Sequence, residues 1–442
     1  MPLPLLLLAV TAPACAPPRK PPDVLLVTVD TLRADRLGVY GYPLDTSPRI
    51  DALAKQGVLF ERAIAAAGRT APAHASIFTS RYVRGHSMGA RNGDSELVGH
   101  VTLAEAFAAG GYRTGAFVGN LLLAGRLGFA RGFDVYDDEL TVPESNRPHV
   151  LERRADDTTE RALHWLAAGD EPAFLWVHYQ DPHGPYTPPP PFDAAFEVPA
   201  PPDEPVLEVA AFGATAGRIP RYQAIEGLRR ASQYEARYVG EIAYADRAIG
   251  RLVAALDARR RPNVVLFTAD HGESLGEGGH YFKHVHSTGP DVAHVPLLLR
   301  APGLAPERRR EWVSHVDVAP TLLDLAGLPL PPDAQGVSLV RRLRGGEAWP
   351  ERFVYCDHGT QLSAYAGDGF LRARGPAGAW RGGDAPQRGV AFRWSEGGVE
   401  RGAERALPRA VRDYAARVEP VRALPPPDEE QLERLRALGY AD

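Results

Sequence analysis

Two rhythms of apolar residues alternate along the chain. Asp23–Val29 (DVLLVTV), Ala173–His178 (AFLWVH) and Asn263–Thr268 (NVVLFT) are unbroken apolar, β-branched runs. Runs of this kind form strands buried on both faces, as in a parallel sheet. Arg113–Val118 reads as a further strand, preceded by a helix over Leu103–Ala109 that Gly110-Gly111 stops. Helical spacing covers Thr158–Ala168. It recurs from Tyr234 to Leu256, where Tyr238, Ile242, Ala245, Ile249, Leu252 and Leu256 share one face. Strands alternating with helices predict an α/β fold with a mostly parallel central sheet covered by helices on both faces. Asp30, Asp181 and the pair Asp270-His271 each lie just past the carboxyl end of a predicted strand. Open α/β sheets bind their ligands along that edge.

Outside this core the rhythm changes. Pro182–Pro205 carries ten prolines and predicts a surface loop beside the same edge. The βα alternation fades from about Arg341, and Gly367–Gly402 is rich in Gly and Arg. The expected organisation is therefore an α/β catalytic domain over 23–340 and a small, loop-heavy C-terminal subdomain over 341–442. Glu429–Leu438 reads as a short terminal helix. At the other end, Leu3–Val10 is too short to span a bilayer and suits the apolar region of a signal peptide over residues 1–18. No Lys or Arg precedes it. Ala12–Cys15 resembles a lipoprotein box that lacks the usual Leu, which makes Cys15 a candidate lipid anchor. Both features predict export to the periplasm or cell envelope.

Composition narrows the function. At 442 residues, 44% hydrophobic and 24% charged, the chain is a folded protein of more than one average domain. Its net charge of −5 offers no basic surplus for nucleic acid. Its two cysteines exclude a disulfide scaffold and a cysteine-rich zinc site.

The candidate chemistry falls in three segments. In Gly68–Arg81 (GRTAPAHASIFTSR), Pro72 favours the first turn of a helix, which puts Thr70 at its N-terminus. Free N–H groups and the helix dipole there favour an anion. A hydroxyl so placed can attack phosphorus or sulfur if a divalent cation lowers its pKa. Taken alone, Thr70 is equally a helix cap. Asp270-His271, with Glu273 close behind, is a candidate metal site. Alone, it is equally a cap beside a solvated histidine. His178, Asp181 and His183 form one histidine-rich cluster, and His280, His284 and His286 another. Such clusters serve metal binding, proton transfer or oxyanion contact.

Together these segments resemble the sulfatase family of the alkaline phosphatase superfamily. Val24–Tyr42 is similar to the family's opening strand and first metal ligand, and Arg69–His86 to its nucleophile helix. HYQDPHGPYTPP, TADHGESLGEGG, HVPLLLRAPG and DVAPTLLDLAGLP resemble its later blocks, and LRALGY its terminal helix. The resemblance implies an alkaline-phosphatase-like sandwich, a divalent metal and a covalent ester intermediate. It implies that Asp30, Thr70, Asp270 and His271 hold the metal and that Thr70 is the nucleophile. His183 and His284 would meet the transferred group or the leaving oxygen. Asn92, His74 and Lys283 would contact substrate.

The departures from the family are chemical. Thr70 stands where sulfatases carry the Cys or Ser that becomes formylglycine, and threonine does not give that aldehyde. His74 replaces the usual Arg, Asp30-Thr31 the usual Asp pair, and His271 the usual Asn. Fewer carboxylates and an added imidazole favour zinc or manganese, with calcium as the alternative. Asp181 and His183 offer donors for a second metal. The expectation is a phosphate- or sulfate-ester hydrolase working through Thr70, phosphate favoured, on a small-molecule or glycan ester. A sulfatase proper, an envelope phosphotransferase and a catalytically silent binding module on the same fold remain as alternatives.

Overall fold

The computed structural model describes residues 20–88, 95–144, 150–211, 216–375, 385–395 and 398–417. The signal segment with Cys15, Asn92 and the terminal helix Glu429–Leu438 lie outside these residues.

Eight strands make the central sheet: β1 (Asp23–Val29), β2 (Val58–Ile64), β3 (Arg113–Val118), β4 (Val135–Asp137), β5 (Ala173–Tyr179), β6 (Asn263–Ala269), β7 (His294–Arg300) and β8 (Glu307–Ser314). Their order is β8-β2-β7-β6-β1-β5-β3-β4. β7 runs antiparallel to both of its neighbours, and every other pair is parallel. All residues of β1 and β5 are buried, as their continuous apolar runs require.

Among the described residues, the helices α1 (Pro48–Ala54), α2 (Thr70–Thr79), α3 (Leu103–Ala109), α4 (Ala155–Ala167), α5 (Ala231–Ala258) and α6 (Val318–Ala326) frame the sheet, and α7 (Arg409–Ala416) belongs to the C-terminal region. Alternation along β5 sorts them. Phe174 stacks on Phe107 of α3 and Trp176 meets Phe78 of α2, whereas Tyr179 points the other way and bonds Thr159 of α4. Helices therefore cover both faces, as expected. α4 begins three residues before the apolar pattern does. Its first turn carries Asp156 and Asp157, which complement the helix dipole without adding to the hydrophobic face.

The C-terminal region departs from the loop-heavy expectation. It holds a five-stranded antiparallel sheet in chain order: β9 (Val354–Asp357), β10 (Gln361–Ala366), β11 (Gly369–Arg374), β12 (Arg388–Ser395) and β13 (Gly398–Ala406). One face packs Leu362, Ala364, Leu371 and Ala373 against Tyr355, Leu407 and Tyr414. The outer strand β13 is exposed throughout and rich in charge, with cross-strand pairs such as Arg388–Glu404, so its hydropathy does not announce a strand, while Phe392 of β12 stacks on Phe370. No helix among the described residues is long and apolar enough to cross a membrane.

Candidate active site

β1 and β6 are neighbours, in register from Asp23↔Asn263 to Val29↔Ala269. The residues that follow them, Asp30 and Asp270, therefore emerge side by side. Asp270 Oδ1 accepts the backbone N–H of His271 (2.7 Å) and of Thr31 (3.2 Å). His271 Nδ1 donates to the Gly272 carbonyl (3.0 Å), which leaves Nε2 with a lone pair. Asn120 Nδ2 donates to Asp30 Oδ2 (2.5 Å). What remains is Asp30 Oδ1 and Asp270 Oδ2, both buried and without a hydrogen-bond partner. His271 Nε2 lies 3.9 Å from the first and 3.4 Å from the second. Asp30, Asp270 and His271 each offer a donor atom within 4.8 Å of the others. Burial, and then the charge of Asp30, push the Asp270 carboxyl far above the usual range. Two buried carboxylates in this relation call for a cation between them.

Thr31 occupies the place of the family's second Asp. Its φ of 53° is left-handed, rare for a β-branched residue. Tyr238 of α5 holds it by donating its hydroxyl to the Thr31 carbonyl (2.7 Å). The turn sends the Thr31 N–H to Asp270 while the Asp30 carboxylate stays in the site.

The nucleophile segment behaves as its sequence predicts. Arg69 is extended, Thr70 is the first helical residue of α2, and every residue of α2 is buried. Gly68 is required here: a Cβ would stand 2.7 Å from Val292 Cγ1 and 3.1 Å from the Ser287 carbonyl oxygen. Thr70 Oγ1 lies 3.4 Å from His271 Nε2. The hydroxyl thus meets His271, one of the three grouped donor residues, at a helix N-terminus. His74, expected to contact substrate, is turned inward. Its Nδ1 meets the Thr70 carbonyl (2.9 Å) and its Nε2 the Thr28 hydroxyl (3.1 Å), so both ring nitrogens are engaged by protein.

The two expected leaving-group histidines stand beside this centre. The His284 ring is 4.3 Å from that of His271 and 5.7 Å from that of His183, between centroids. His284 Nδ1 pairs with Glu273 Oε1 (3.1 Å), and Glu273 Oε2 accepts the Tyr186 hydroxyl (3.1 Å). His183 Nδ1 donates to the Gly184 carbonyl (2.9 Å), and its ring stacks on Tyr222. Burial pushes the Glu273 carboxyl far up. Burial, then the neighbouring imidazoles of His271 and His183, push His284 down. The contact lets the two side chains share one proton, with the other ring proton of His284 on Nε2. Lys283, half-buried, adds positive charge near Glu273. Asp181 faces Glu241 of α5, and burial followed by the Glu152 charge pushes it up to about 7. His183 faces Tyr222 and His284 instead, so the two do not converge as donors for a second metal. His280 and His286 stack on each other, with centroids 3.8 Å apart.

Two contributors escaped the sequence reading: Asn120 on Asp30 and Tyr186 on Glu273. A signal existed for the first, since Asn120 follows the carboxyl end of β3 on the functional edge. Glu273, grouped by sequence with the metal pair Asp270-His271, instead bonds His284 and Tyr186.

The sulfatase family profile matches residues 22–328. The chain is 31% identical over 228 residues to choline-sulfatase of Rhizobium meliloti, covering 48% of this chain and only 41% of that protein. It is 26% identical over 394 residues to an arylsulfatase of Clostridium perfringens, covering 76% and 81%. Among solved structures, the phosphonate monoester hydrolase of Agrobacterium radiobacter superposes with a TM-score of 0.65 at 24% identity, covering 80% of this chain and 87% of that one. An alkaline phosphatase superfamily protein of Vibrio parahaemolyticus superposes with a TM-score of 0.59 at 16% identity, covering 96% and 89%. These two likenesses establish the fold. The profile spans most of the chain and takes in Asp30, Thr70, His183, Asp270, His271 and His284, so this protein belongs to the sulfatase family, hydrolases of sulfuric and phosphoric esters on an alkaline-phosphatase-like fold.

Proposed function

We propose that the protein is a divalent-metal-dependent hydrolase of phosphate esters that works through a covalent threonine intermediate. The observation that carries the reading is the convergence of Asp30, Asp270 and His271 beside the Thr70 hydroxyl at the start of α2. The two unpartnered carboxylate oxygens and the His271 lone pair fit a cation. Asp30, Asp270, His271 and Thr70 would hold it. When bound, it lowers the pKa of the Thr70 hydroxyl and offsets charge on the transferred group. Two carboxylates with an imidazole favour zinc or manganese over calcium.

Thr70 Oγ1, its proton released to solvent, forms the new bond to phosphorus while the bond to the leaving oxygen breaks. The first-turn N–H groups of α2 stabilise the non-bridging oxygens as charge develops. His284 Nε2 gives its proton to the departing alkoxide, and Glu273 holds the ring in place. His183 contacts the same oxygen. Water then attacks the phosphothreonine and breaks its Oγ1–phosphorus bond; one water proton passes to His284, and Thr70 regains its hydroxyl proton from solvent. Lys283 and Asn92 remain proposed substrate contacts, and residues 1–18 a proposed export signal.

Phosphate is favoured because threonine cannot supply the aldehyde that sulfatases of the usual type rely on. The sulfate reading draws on the named relatives, choline-sulfatase and arylsulfatase. One comparison separates the two. Metal-loaded protein is offered a phosphate monoester, a phosphate diester and a sulfate ester of one chromogenic alcohol, with Thr70→Ala alongside. Preference for a phosphate ester, abolished by Thr70→Ala, is the expected result. Preference for sulfate, still dependent on Thr70, overturns the substrate assignment and leaves the nucleophile. Turnover unchanged in Thr70→Ala overturns the mechanism.

A further inference from the structure

A hydrogen-bond junction lies directly beneath the site. Thr28 stands two residues before Asp30, so both side chains share one face of β1. It is fully buried. Its single hydroxyl meets three rings: Trp176 Nε1 at 2.9 Å, His178 Nδ1 at 2.9 Å and His74 Nε2 at 3.1 Å. A hydroxyl has one proton and two lone pairs, so three bonds exhaust it. Register makes the arrangement: Thr28 is opposite His178 on β5, with Trp176 two residues earlier. His74 descends from α2 and fills the third place.

Counting protons fixes the tautomers. The Thr70 carbonyl only accepts, so His74 Nδ1 carries a proton and donates to it (2.9 Å). No carboxylate comes within hydrogen-bonding distance of His74, the nearest being Asp270 at 4.0 Å, so a buried charge there would go unpaired. His74 Nε2 is therefore bare and takes the Thr28 hydroxyl proton. Trp176 can only donate. The remaining lone pair of Thr28 must receive a proton from His178 Nδ1. His178 Nε2 lies fully buried, 3.5 Å from Asp30 Oδ2.

The consequence falls on both halves of the centre. Through His178 the hydroxyl fixes an imidazole against Asp30, whose Oδ2 also accepts from Asn120 (2.5 Å). Through His74 it steadies the ring that holds the Thr70 carbonyl.

We propose that Thr28 is a positioning residue for the esterase site: its hydroxyl sets the seats of His178 and His74, and so holds Asp30 where it can take a metal and Thr70 at the start of α2. This rests on the metal site proposed above. The test compares Thr28→Val, which keeps the shape and loses the hydroxyl, with Thr28→Ser, which keeps the hydroxyl. Zinc(II) and manganese(II) affinities are measured by competition with a chelating indicator, alongside kcat, KM and melting of the metal-free protein. Loss of a partner that orients a metal ligand weakens binding about 10- to 100-fold. Thr28→Val is expected to show that loss together with a lower kcat and a near-constant KM, and Thr28→Ser to recover most of both. If Thr28→Val does not fold, Thr28→Cys, whose thiol is a weak acceptor, replaces it. Wild-type cation affinity in the folded Val or Cys variant overturns the proposal, whatever its melting temperature. So does equal impairment of the Ser variant. If the wild type itself binds neither cation, the metal site fails first, and that result is distinct.

Discussion

Glu273 is the residue through which the proposed chemistry is most open to attack. Its carboxylate bridges His284 Nδ1 and the Tyr186 hydroxyl, each at 3.1 Å, in a fully buried position. Glu273→Gln keeps the shape and can still hold the ring through its amide. What disappears is the group that shares a proton with the ring. Without it, the ring has no proton to take up at Nδ1 as Nε2 gives its own to the leaving oxygen. Partners of this kind contribute about 10- to 100-fold, or roughly 1.4–2.7 kcal/mol in the barrier. The loss depends on how much the leaving alkoxide needs a proton. An acidic phenol departs unaided, and an alkyl alcohol does not. The assay is kcat for a series of phosphate esters of rising leaving-group pKa, in wild type and variant. The expected result is near-wild-type kcat for the most acidic phenol, a deficit that grows along the series to the full factor, and an unchanged KM. A deficit of one size across the series would refute the reasoning and leave Glu273 a purely structural role.

Two predictions concern stability. Burial and Glu152 hold Asp181 at about 7, above its ordinary 3.8. The folded protein thus keeps a proton that the unfolded chain releases, and stability falls as pH rises through that interval. Asp181→Asn removes this linkage, so its melting temperature declines less than that of wild type between about pH 5 and about pH 8; equal slopes would contradict it. Separately, Asp246 of α5 accepts the backbone N–H groups of Arg49 (3.0 Å) and Ile50 (2.8 Å) at the start of α1. Removing two such bonds in Asp246→Ala is expected to cost about 2–4 kcal/mol in urea unfolding, and Asp246→Asn, which keeps an acceptor, clearly less.

What could be read from the chain follows from what each segment touches. β1, β5 and β6 are buried on both faces, so their composition alone declares them. β8 (ERRREWVS) is an edge strand with five charges in eight residues. Its strand character comes from pairing with β2, some 250 residues away in sequence, and nothing local records that. Asp30, Thr70, Asp270 and His271 were legible because each sits at the end of a recognisable element. His74 was legible as a position but not as a direction. The family place it occupies belongs to a residue that contacts substrate, while its own ring turns to Thr28. The Asn120–Asp30 bond crosses 90 residues and has no counterpart in local pattern.

The C-terminal sheet reaches back into the nucleophile region at several points. The Asp357 carboxylate takes Arg84 (2.6 Å), and its N–H bonds the Ala66 carbonyl (2.9 Å). His358 meets Arg69 at 3.4 Å, and Gln361 receives the N–H and hydroxyl of Thr288. The stretch that carries the family's signature ends at residue 328, before any of these partners. The catalytic apparatus is thus not a detachable cassette. A chain ended at that point would retain every proposed metal ligand and lose the brace behind the residue next to Thr70. Exchange of the whole sheet with that of a distant relative would have to carry Arg69, Arg84 and Thr288 with it.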